Sequence, residues 1–230
     1  MEPRIQYAQT IDGVSIAFWT LGEGMPLVQM PAAPSHAQLE WGIPEYRRWY
    51  ERLAEARKVV RYDHRETGLS ERNVAGFSLD TVMLDLDAVV GRLELEKFAL
   101  LGPSTGGLLA IAYAARHPEQ VSHLFLWLSY ARVSELRWVR RLGGLMDKEW
   151  EVYTETVARS LLGWSEGKGA SRYAEFIRES IGPEGLQRSW DAIRQFDASD
   201  LLGQVRSPTL VLHRRQFPFG EVGIARNLAA

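Results

Sequence analysis

The fold is decided by one stretch of the sequence, Phe98-Ala99-Leu100-Leu101-Gly102-Pro103-Ser104-Thr105-Gly106-Gly107. Its first four residues are apolar, which is typical of a strand buried on both faces of a parallel sheet. Residues 102–106 then read G-x-S-x-G, and the following segment to about residue 116 predicts a helix. A serine on such a strand-to-helix turn exposes its hydroxyl, whereas Gly102 and Gly106 leave room for neighbouring backbone. The stretch therefore predicts Ser104 as a nucleophile. A glycine-rich connection with an incidental serine is the alternative.

The rest of the chain alternates apolar runs with helical segments. Strands are predicted at residues 26–30, 58–62, 97–101, 121–128 and 209–213. Apolar residues at helical spacing predict a helix over residues 79–93, with Ser78 as its N-cap. Residues 4–20 alternate in strand fashion around Asp12-Gly13, which predicts an antiparallel hairpin. We therefore expect an α/β fold with a mostly parallel central sheet and helices on both of its faces.

The strand pattern is interrupted between residues 133 and 202, where the sequence is amphipathic and helical. We predict a core formed by residues 1–132, a helical lid insertion over residues 133–202, and a continuation of the core in residues 203–230. The insertion carries half of the eight tryptophans, namely Trp138, Trp150, Trp164 and Trp190. These rings either hold a small helical bundle together or line a ligand pocket.

Composition excludes several classes of protein. A chain of 230 residues with 46% hydrophobic residues and a mean hydropathy of -0.20 is long and apolar enough to bury a sizeable core. The absence of cysteine removes disulfides, thiolate metal sites and a cysteine nucleophile. A net charge of -2 does not indicate the excess of basic residues that is typical of nucleic-acid-binding proteins. No signal peptide or long apolar run occurs, so we expect a cytoplasmic protein with no membrane partner.

Acyl transfer at Ser104 would need two hydrogen-bond donors for the oxyanion. The backbone N–H of Thr105 is the first candidate, because it directly follows the nucleophile. The second should follow the predicted strand at residues 26–30, where Pro31 has no N–H and Ala32 and Ala33 come next. An ordinary turn is the alternative at this position. Neither a phosphate-binding loop nor a metal-ligand cluster is visible, so we expect no cofactor and no metal.

With these motifs in place, the chain resembles the α/β-hydrolase fold superfamily. The resemblance depends on the turn at 102–107 and on three further stretches, which are RYDHRETGLS at residues 61–70, RHPEQV at 116–121 and PTLVLH at 208–213. More narrowly, the Tyr-Asp-x-Arg loop, the Ser35-His36 pair and Ala131-Arg132 are similar to bacterial hydrolase-like modules also found fused to nucleotide cyclases or LuxR-type regulators. Glu66 departs from such loops, which commonly have glycine there.

The resemblance implies a catalytic serine, then an acid after residues 209–213, then a histidine nearer the C-terminus. Gln216 stands about where the acid is expected, Glu221 is the only carboxylate beyond it, and no histidine follows. We therefore expect that the C-terminal part of the parent protein is missing. His36 is the candidate substitute base, with His64 and His213 as further options, although packed or hydrogen-bonded histidines are commoner.

Two functions follow from these observations. The first is a serine hydrolase of esterase type that acts on a small, largely apolar acyl ester through an acyl-enzyme at Ser104. The alternative is a non-catalytic module that binds a small apolar ligand and signals to another domain, or an inactive fragment that lacks the acid and the histidine. The predicted strand at 209–213 would be left as an apolar edge, so we also expect self-association.

Overall fold

A seven-stranded sheet lies at the centre of the computed structural model, which describes residues 2–74, 76–136, 145–146, 148–163, 165–215, 217 and 220–230. The strands are β1 Gln6–Gln9, β2 Ser15–Leu21, β3 Pro26–Gln29, β4 Lys58–Tyr62, β5 Phe98–Pro103, β6 Val121–Trp127 and β7 Thr209–Leu212. Their spatial order is β1-β2-β4-β3-β5-β6-β7. The pairs β1–β2 and β2–β4 are antiparallel, and the other four pairs are parallel. This topology confirms the predicted mostly parallel sheet and the hairpin at its start.

Helices cover both faces of the sheet. They are α1 Ala37–Gly42, α2 Pro44–Ala54, α3 Leu79–Arg92, α4 Thr105–Arg116, α5 Trp150–Leu162, α6 Gly167–Ser180, α7 Pro183–Arg194 and α8 Val222–Leu228. The main apolar core contains residues of α3, α4, β3, β5 and β6. A smaller cluster around Trp19, Trp41 and Tyr50 packs α1 and α2 against β2 and β4. Burial on both faces explains why the parallel strands are almost continuously apolar.

The helix α3 illustrates how the local sequence positions an element. The Ser78 hydroxyl accepts a hydrogen bond from the Thr81 N–H at 3.2 Å, and the Thr81 hydroxyl accepts one from the Ser78 N–H at 2.8 Å. This reciprocal cap satisfies two backbone donors at the start of the helix. The apolar face of α3 then buries Val82 and Leu86 against the sheet. The predicted helix and its N-cap are both confirmed.

The strand β7 is less buried than its apolar run alone would indicate. Leu210 is 48% exposed and Leu212 is 44% exposed. The reason is its position, because β7 pairs only with β6 in the described sheet and forms its edge. The predicted strand is thus present, and its position agrees with the apolar edge expected for residues 209–213.

The described residues between β6 and β7 are mainly helical. They form α5, α6 and α7 together with 3-10 turns at Val133–Glu135 and Ser199–Gln204. The two ends of this segment meet, because the Ala198 N–H donates to the Ala131 carbonyl at 2.8 Å. Trp138 and Trp164, two of the four tryptophans singled out in this segment, lie outside the described residues.

Candidate active site

Ser104 lies on the turn between β5 and α4, with a φ of 49° and a ψ of -122°. A positive φ is costly for a residue with a side chain, so the surrounding structure must hold it. The Ser104 N–H donates to the Trp127 carbonyl at 2.9 Å, and the Gly107 N–H donates to the Ser104 carbonyl at 3.0 Å. This turn, residues 102–107, is called the nucleophile elbow below. It presents a half-buried Ser104 at the start of a helix.

The glycines of the elbow are required by close backbone contacts. A Cβ atom on Gly102 would lie 2.5 Å from the Gly107 Cα, and one on Gly106 would lie 2.6 Å from the Met30 carbonyl oxygen. A Cβ on Gly107 would collide with the Ser129 hydroxyl. Backbone atoms cannot move aside as the end of a flexible side chain can. The glycines of the G-x-S-x-G pattern are therefore explained by packing.

A cavity of about 790 Å³ lies above the elbow. Ser104, Thr105, Ala32 and Ala33 all line it, so the structure brings together four residues that the sequence singled out. The rest of the lining is largely apolar, and its members from the segment between β6 and β7 include Leu136, Tyr153, Val157, Leu161, Ile177, Leu186 and Trp190. A concave apolar site with a few polar groups is the usual form of a small-molecule pocket.

The two candidate oxyanion donors after β3 are not equivalent. The Ala33 N–H donates to the Thr105 hydroxyl at 3.3 Å, so this donor already has a partner. Ala32 also lines the cavity and does not make that hydrogen bond. The geometry therefore favours the Ala32 N–H over the Ala33 N–H as the second oxyanion donor. The Thr105 N–H lies at the first turn of α4, where backbone donors have no partner within the helix.

Tyr130 is a neighbour of Ser104 that the sequence analysis missed. Its hydroxyl is buried and makes no hydrogen bond of good geometry within the described residues, and the Ser104 side chain is its polar neighbour. Burial raises the pKa of Tyr130 well above its usual value, and the interaction with Ser104 opposes that shift. Tyr130 therefore stays protonated at neutral pH and can donate toward Ser104. A lone tyrosine just after β6 carries no local signal for this role.

His36, the candidate substitute base, lies at the start of α1. Its Nδ1 atom accepts a hydrogen bond from the Leu39 N–H at 3.2 Å and caps α1. Burial, reinforced by Arg72, lowers the pKa of His36, so the neutral form that serves as a cap is favoured. His36 is not among the described residues that line the cavity, and its role as substitute base stays a prediction.

The other two histidine options also lie outside the cavity lining. His64 faces Asp85, with Nδ1 and the carboxylate oxygen 3.3 Å apart. His213 packs edge-on against Phe217, with ring centroids 5.9 Å apart, and Phe217 lines the cavity. Among the described residues that line the cavity, none is a histidine. Gln216, at the position expected for the acid, lies outside the described residues.

Asp63 organises the loop after β4. It accepts hydrogen bonds from the backbone N–H groups of Ala37, at 2.9 Å, and of Leu69, at 3.1 Å, and from the Ser35 hydroxyl, at 3.1 Å. Burial raises the pKa of Asp63 to about 6, although Arg61 and these donors act in the opposite direction. The loop and the start of α1 are thus held by one carboxylate.

Comparisons with known proteins agree with this geometry. A family model described as the alpha/beta hydrolase fold matches residues 39–168, which is more than half of the chain. The chain belongs to the alpha/beta hydrolase fold family.

The matched proteins include hydrolases and esterases. The AB hydrolase superfamily protein YisY of Bacillus subtilis is 26% identical over 96% of this chain and 85% of its own length. The pimeloyl-[acyl-carrier protein] methyl ester esterase of Neisseria meningitidis serogroup C is 28% identical over 55% of this chain and 53% of its own length. Among solved structures, an esterase from Exiguobacterium antarcticum superposes with a TM-score of 0.84 at 22% identity, covering 97% of this chain and 85% of that one. These relatives support a hydrolase function.

The described part of the chain shows neither a metal site nor a membrane-spanning helix. It holds no group of three His, Asp or Glu side chains arranged to bind a metal ion. In the same residues, no helix combines the length and the apolar character needed to cross a bilayer.

Proposed function

We propose that this protein is a serine hydrolase of esterase type that acts on a small, largely apolar acyl ester. The observation that carries the proposal is the half-buried Ser104 on a strained elbow, which faces an apolar cavity together with Thr105 and Ala32. The esterase among the relatives at 28% identity is consistent with this class of reaction.

In the proposed reaction, the Ser104 hydroxyl oxygen attacks the ester carbonyl while a base takes its proton. The oxyanion is held by the N–H groups of Thr105 and Ala32. Collapse of the tetrahedral intermediate breaks the bond to the alcohol, which leaves with the proton. Water then attacks the acyl-enzyme, releases the carboxylic acid and restores Ser104.

The segment at residues 133–202 would act as the lid of this site. Support comes from the cavity, because α5, α6 and α7 each contribute apolar side chains to the wall that faces Ser104. Trp190 on α7 is 7% exposed and belongs to the same wall. A lid of this kind would exclude water from the acyl-enzyme until the alcohol has left.

Labelling with a fluorophosphonate probe tests the nucleophile. We expect the natural chain to react and Ser104→Ala not to react, because Ser104 alone combines a strained elbow with nearby amide donors. Ser165→Ala, which removes an exposed serine of the lid segment, is the matched control and should label like the natural chain. Labelling that persists unchanged in Ser104→Ala would remove the basis of the proposal.

The second candidate is a non-catalytic module that binds an apolar ligand and signals to a fused or separate domain. It is favoured by one observation, the lack of a histidine among the described residues that line the cavity. Without a base, a serine is a weak nucleophile near pH 7. The two candidates agree on the ligand class and differ in turnover.

Chemical rescue separates these two candidates. If Ser104 only lacks its base, added imidazole should raise ester turnover by at least tenfold over the weak turnover that we expect, since general base catalysis contributes roughly 10² to 10⁴. The rate is measured with a 4-nitrophenyl ester and corrected with Ser104→Ala at the same imidazole concentration. Ligand-induced changes in tryptophan fluorescence without any rescue would favour the binding module.

We further propose that the protein works in the cytoplasm and self-associates through the exposed edge of β7. The exposed Leu210 and Leu212 support the second statement. A prediction for this edge is given in the Discussion.

A further inference from the structure

A buried polar cluster lines one part of the cavity and is not used by the proposed reaction. Gln29 of β3 and Arg61 of β4 are register partners in parallel strands, so their side chains emerge on the same face of the sheet. Glu40 of α1 covers the same face and, like Gln29 and Arg61, lines the cavity. All three residues are more than nine-tenths buried.

Hydrogen bonds within the cluster determine how the Gln29 amide is oriented. The Tyr50 hydroxyl donates its only proton to a Glu40 carboxylate oxygen at 2.5 Å. The oxygen of Tyr50 can then only accept, and it does so from the Gln29 Nε2 at 3.4 Å. The other end of the amide, Gln29 Oε1, is therefore the acceptor that points away from Tyr50.

Gln29 Oε1 has no hydrogen-bond donor among the described residues, although it is buried. Buried acceptors in native proteins nearly always have a partner, so an orphan in the wall of a cavity indicates a missing one. Glu40 does not share this need, because its two oxygens accept from Arg61 at 2.8 Å and 2.5 Å. Arg61 also lies 3.8 Å from an Asp63 carboxylate oxygen, so one guanidinium is shared by two carboxylates and the surroundings do not attract an anion.

We propose that Gln29 Oε1 binds a hydrogen-bond donor of the ligand, namely a hydroxyl or an amide N–H. A carboxylate is disfavoured, because it would place an anionic acceptor beside Gln29 Oε1 and Glu40. The inference rests on the proposed function, since it specifies the acyl esters that this cavity takes. The preferred substrate is an ester whose mainly apolar acyl chain carries one neutral donor.

The register of the sheet locates this donor relative to the reacting carbonyl. Gln29 pairs with Leu101, and Ser104 follows Leu101 by three residues. At about 3.3 Å per residue, Gln29 and Ser104 are separated by roughly 10 Å along β5. Leu101 and Pro103 line the cavity between them. The donor therefore belongs near the far end of the acyl chain.

Equilibrium binding in a Ser104→Ala background tests this inference without requiring turnover. The probes are methyl hexanoate and its ω-hydroxy counterpart, and the signal is the fluorescence of Trp49, Trp127 and Trp190, which line the cavity. We expect Gln29→Met, which keeps the length of the side chain and removes the acceptor, to weaken binding of the hydroxy ester by roughly tenfold relative to methyl hexanoate. Leu161→Met, elsewhere in the cavity wall, should leave the ratio of the two affinities unchanged.

The outcomes distinguish the inference from the function on which it rests. If methyl hexanoate binds and Gln29→Met leaves the affinity ratio unchanged, the inference is overturned and the proposed function stands. If neither ester changes the fluorescence, both are overturned. Circular dichroism verifies folding of the variant, and Gln29→Leu, for which the same tenfold change is expected, replaces Gln29→Met if that variant does not fold.

Discussion

Asp63 organises the loop after β4, and its burial makes the stability of the protein depend on pH. Its carboxylate joins the loop after β4 to the first turn of α1, yet burial raises its pKa to about 6 from an ordinary value of 3.8. The folded protein therefore binds a proton at Asp63 more tightly than the unfolded chain does. The resulting stabilisation is complete below pH 3.8 and is lost as the pH rises through 6.

Substitution of Asp63 tests this linkage. A pKa difference of this size corresponds to about 3 kcal/mol. We expect the free energy of unfolding of the natural chain, measured relative to Asp63→Asn, to fall by about 2 kcal/mol between pH 4 and pH 7, because part of the stabilisation is already lost at pH 4. Urea unfolding at several pH values provides the measurement, and Asp200→Asn, at an exposed position, is the control. A difference that does not change with pH would show that Asp63 does not titrate in this way.

The sequence could predict the positions of some residues around the cavity but not of others. Ser104 and its glycines were predicted because the strand, the turn and the helix are consecutive in the chain. Tyr130 and Gln29 were not, because their roles depend on contacts with segments distant in sequence. His36 was singled out by its position after β3, whereas its capping bond to Leu39 was not predicted.

At the scale of elements, the loop after β4 contacts the helices between β6 and β7 and holds them against the core. Glu66 has a φ of 70° in place of the glycine common in related loops. Its carboxylate accepts from Arg188 of α7 at 2.8 Å and from the Val74 N–H at 2.8 Å. The Gly68 N–H donates to the Ser180 carbonyl at 2.9 Å, at the end of α6. The positive φ at Glu66 is unfavourable, but the Glu66 carboxylate makes two hydrogen bonds that a glycine at this position could not make.

Substitution of Arg188 tests whether its contact with Glu66 holds α7 against the core. Arg188→Met should leave the buried carboxylate of Glu66 with one donor fewer and loosen α7, because charged hydrogen bonds of this kind contribute about 1.5–3 kcal/mol and exposure of Arg188 reduces that amount. We expect the amides of α7 to exchange with solvent roughly tenfold faster, measured by hydrogen–deuterium exchange. Arg194→Met, which removes an exposed ion pair with Asp191 on the same helix, should not change the exchange rate. Equal rates in both variants would contradict a fastening role.

At the scale of the whole molecule, the two edges of the sheet differ in how well they are protected from pairing with a second chain. Both edge strands have four residues, but β1 combines an exposed Tyr7 with two glutamines, whereas β7 at the opposite edge exposes Leu210 and Leu212. Backbone groups on an open apolar edge can pair with a second chain. The apolar pattern of residues 209–213 predicted the strand, and the sheet order agrees with the open apolar edge expected there.

A charge on this edge should prevent association. We expect the natural chain to form concentration-dependent oligomers in sedimentation velocity, and Leu210→Lys to sediment as a monomer, because an edge lysine opposes strand pairing. Ile11→Lys is the matched control, since Ile11 is 91% exposed in the hairpin turn at the other end of the sheet. A natural chain that is monomeric at every concentration would exclude self-association through β7.

The contact between Gly106 and the carbonyl groups of Met30 and Pro31 has a consequence for how such a protein can change over time. The turn that carries Ser104 and the segment that leads to Ala32 touch without an intervening side chain, so neither can shift alone. Chimaeras made by exchanging β3 and its loop between homologues should retain function only when the donor keeps the same backbone path over this glycine. Laboratory evolution toward new acyl groups would succeed more readily by varying the helices between β6 and β7, where side chains rather than backbone form the wall.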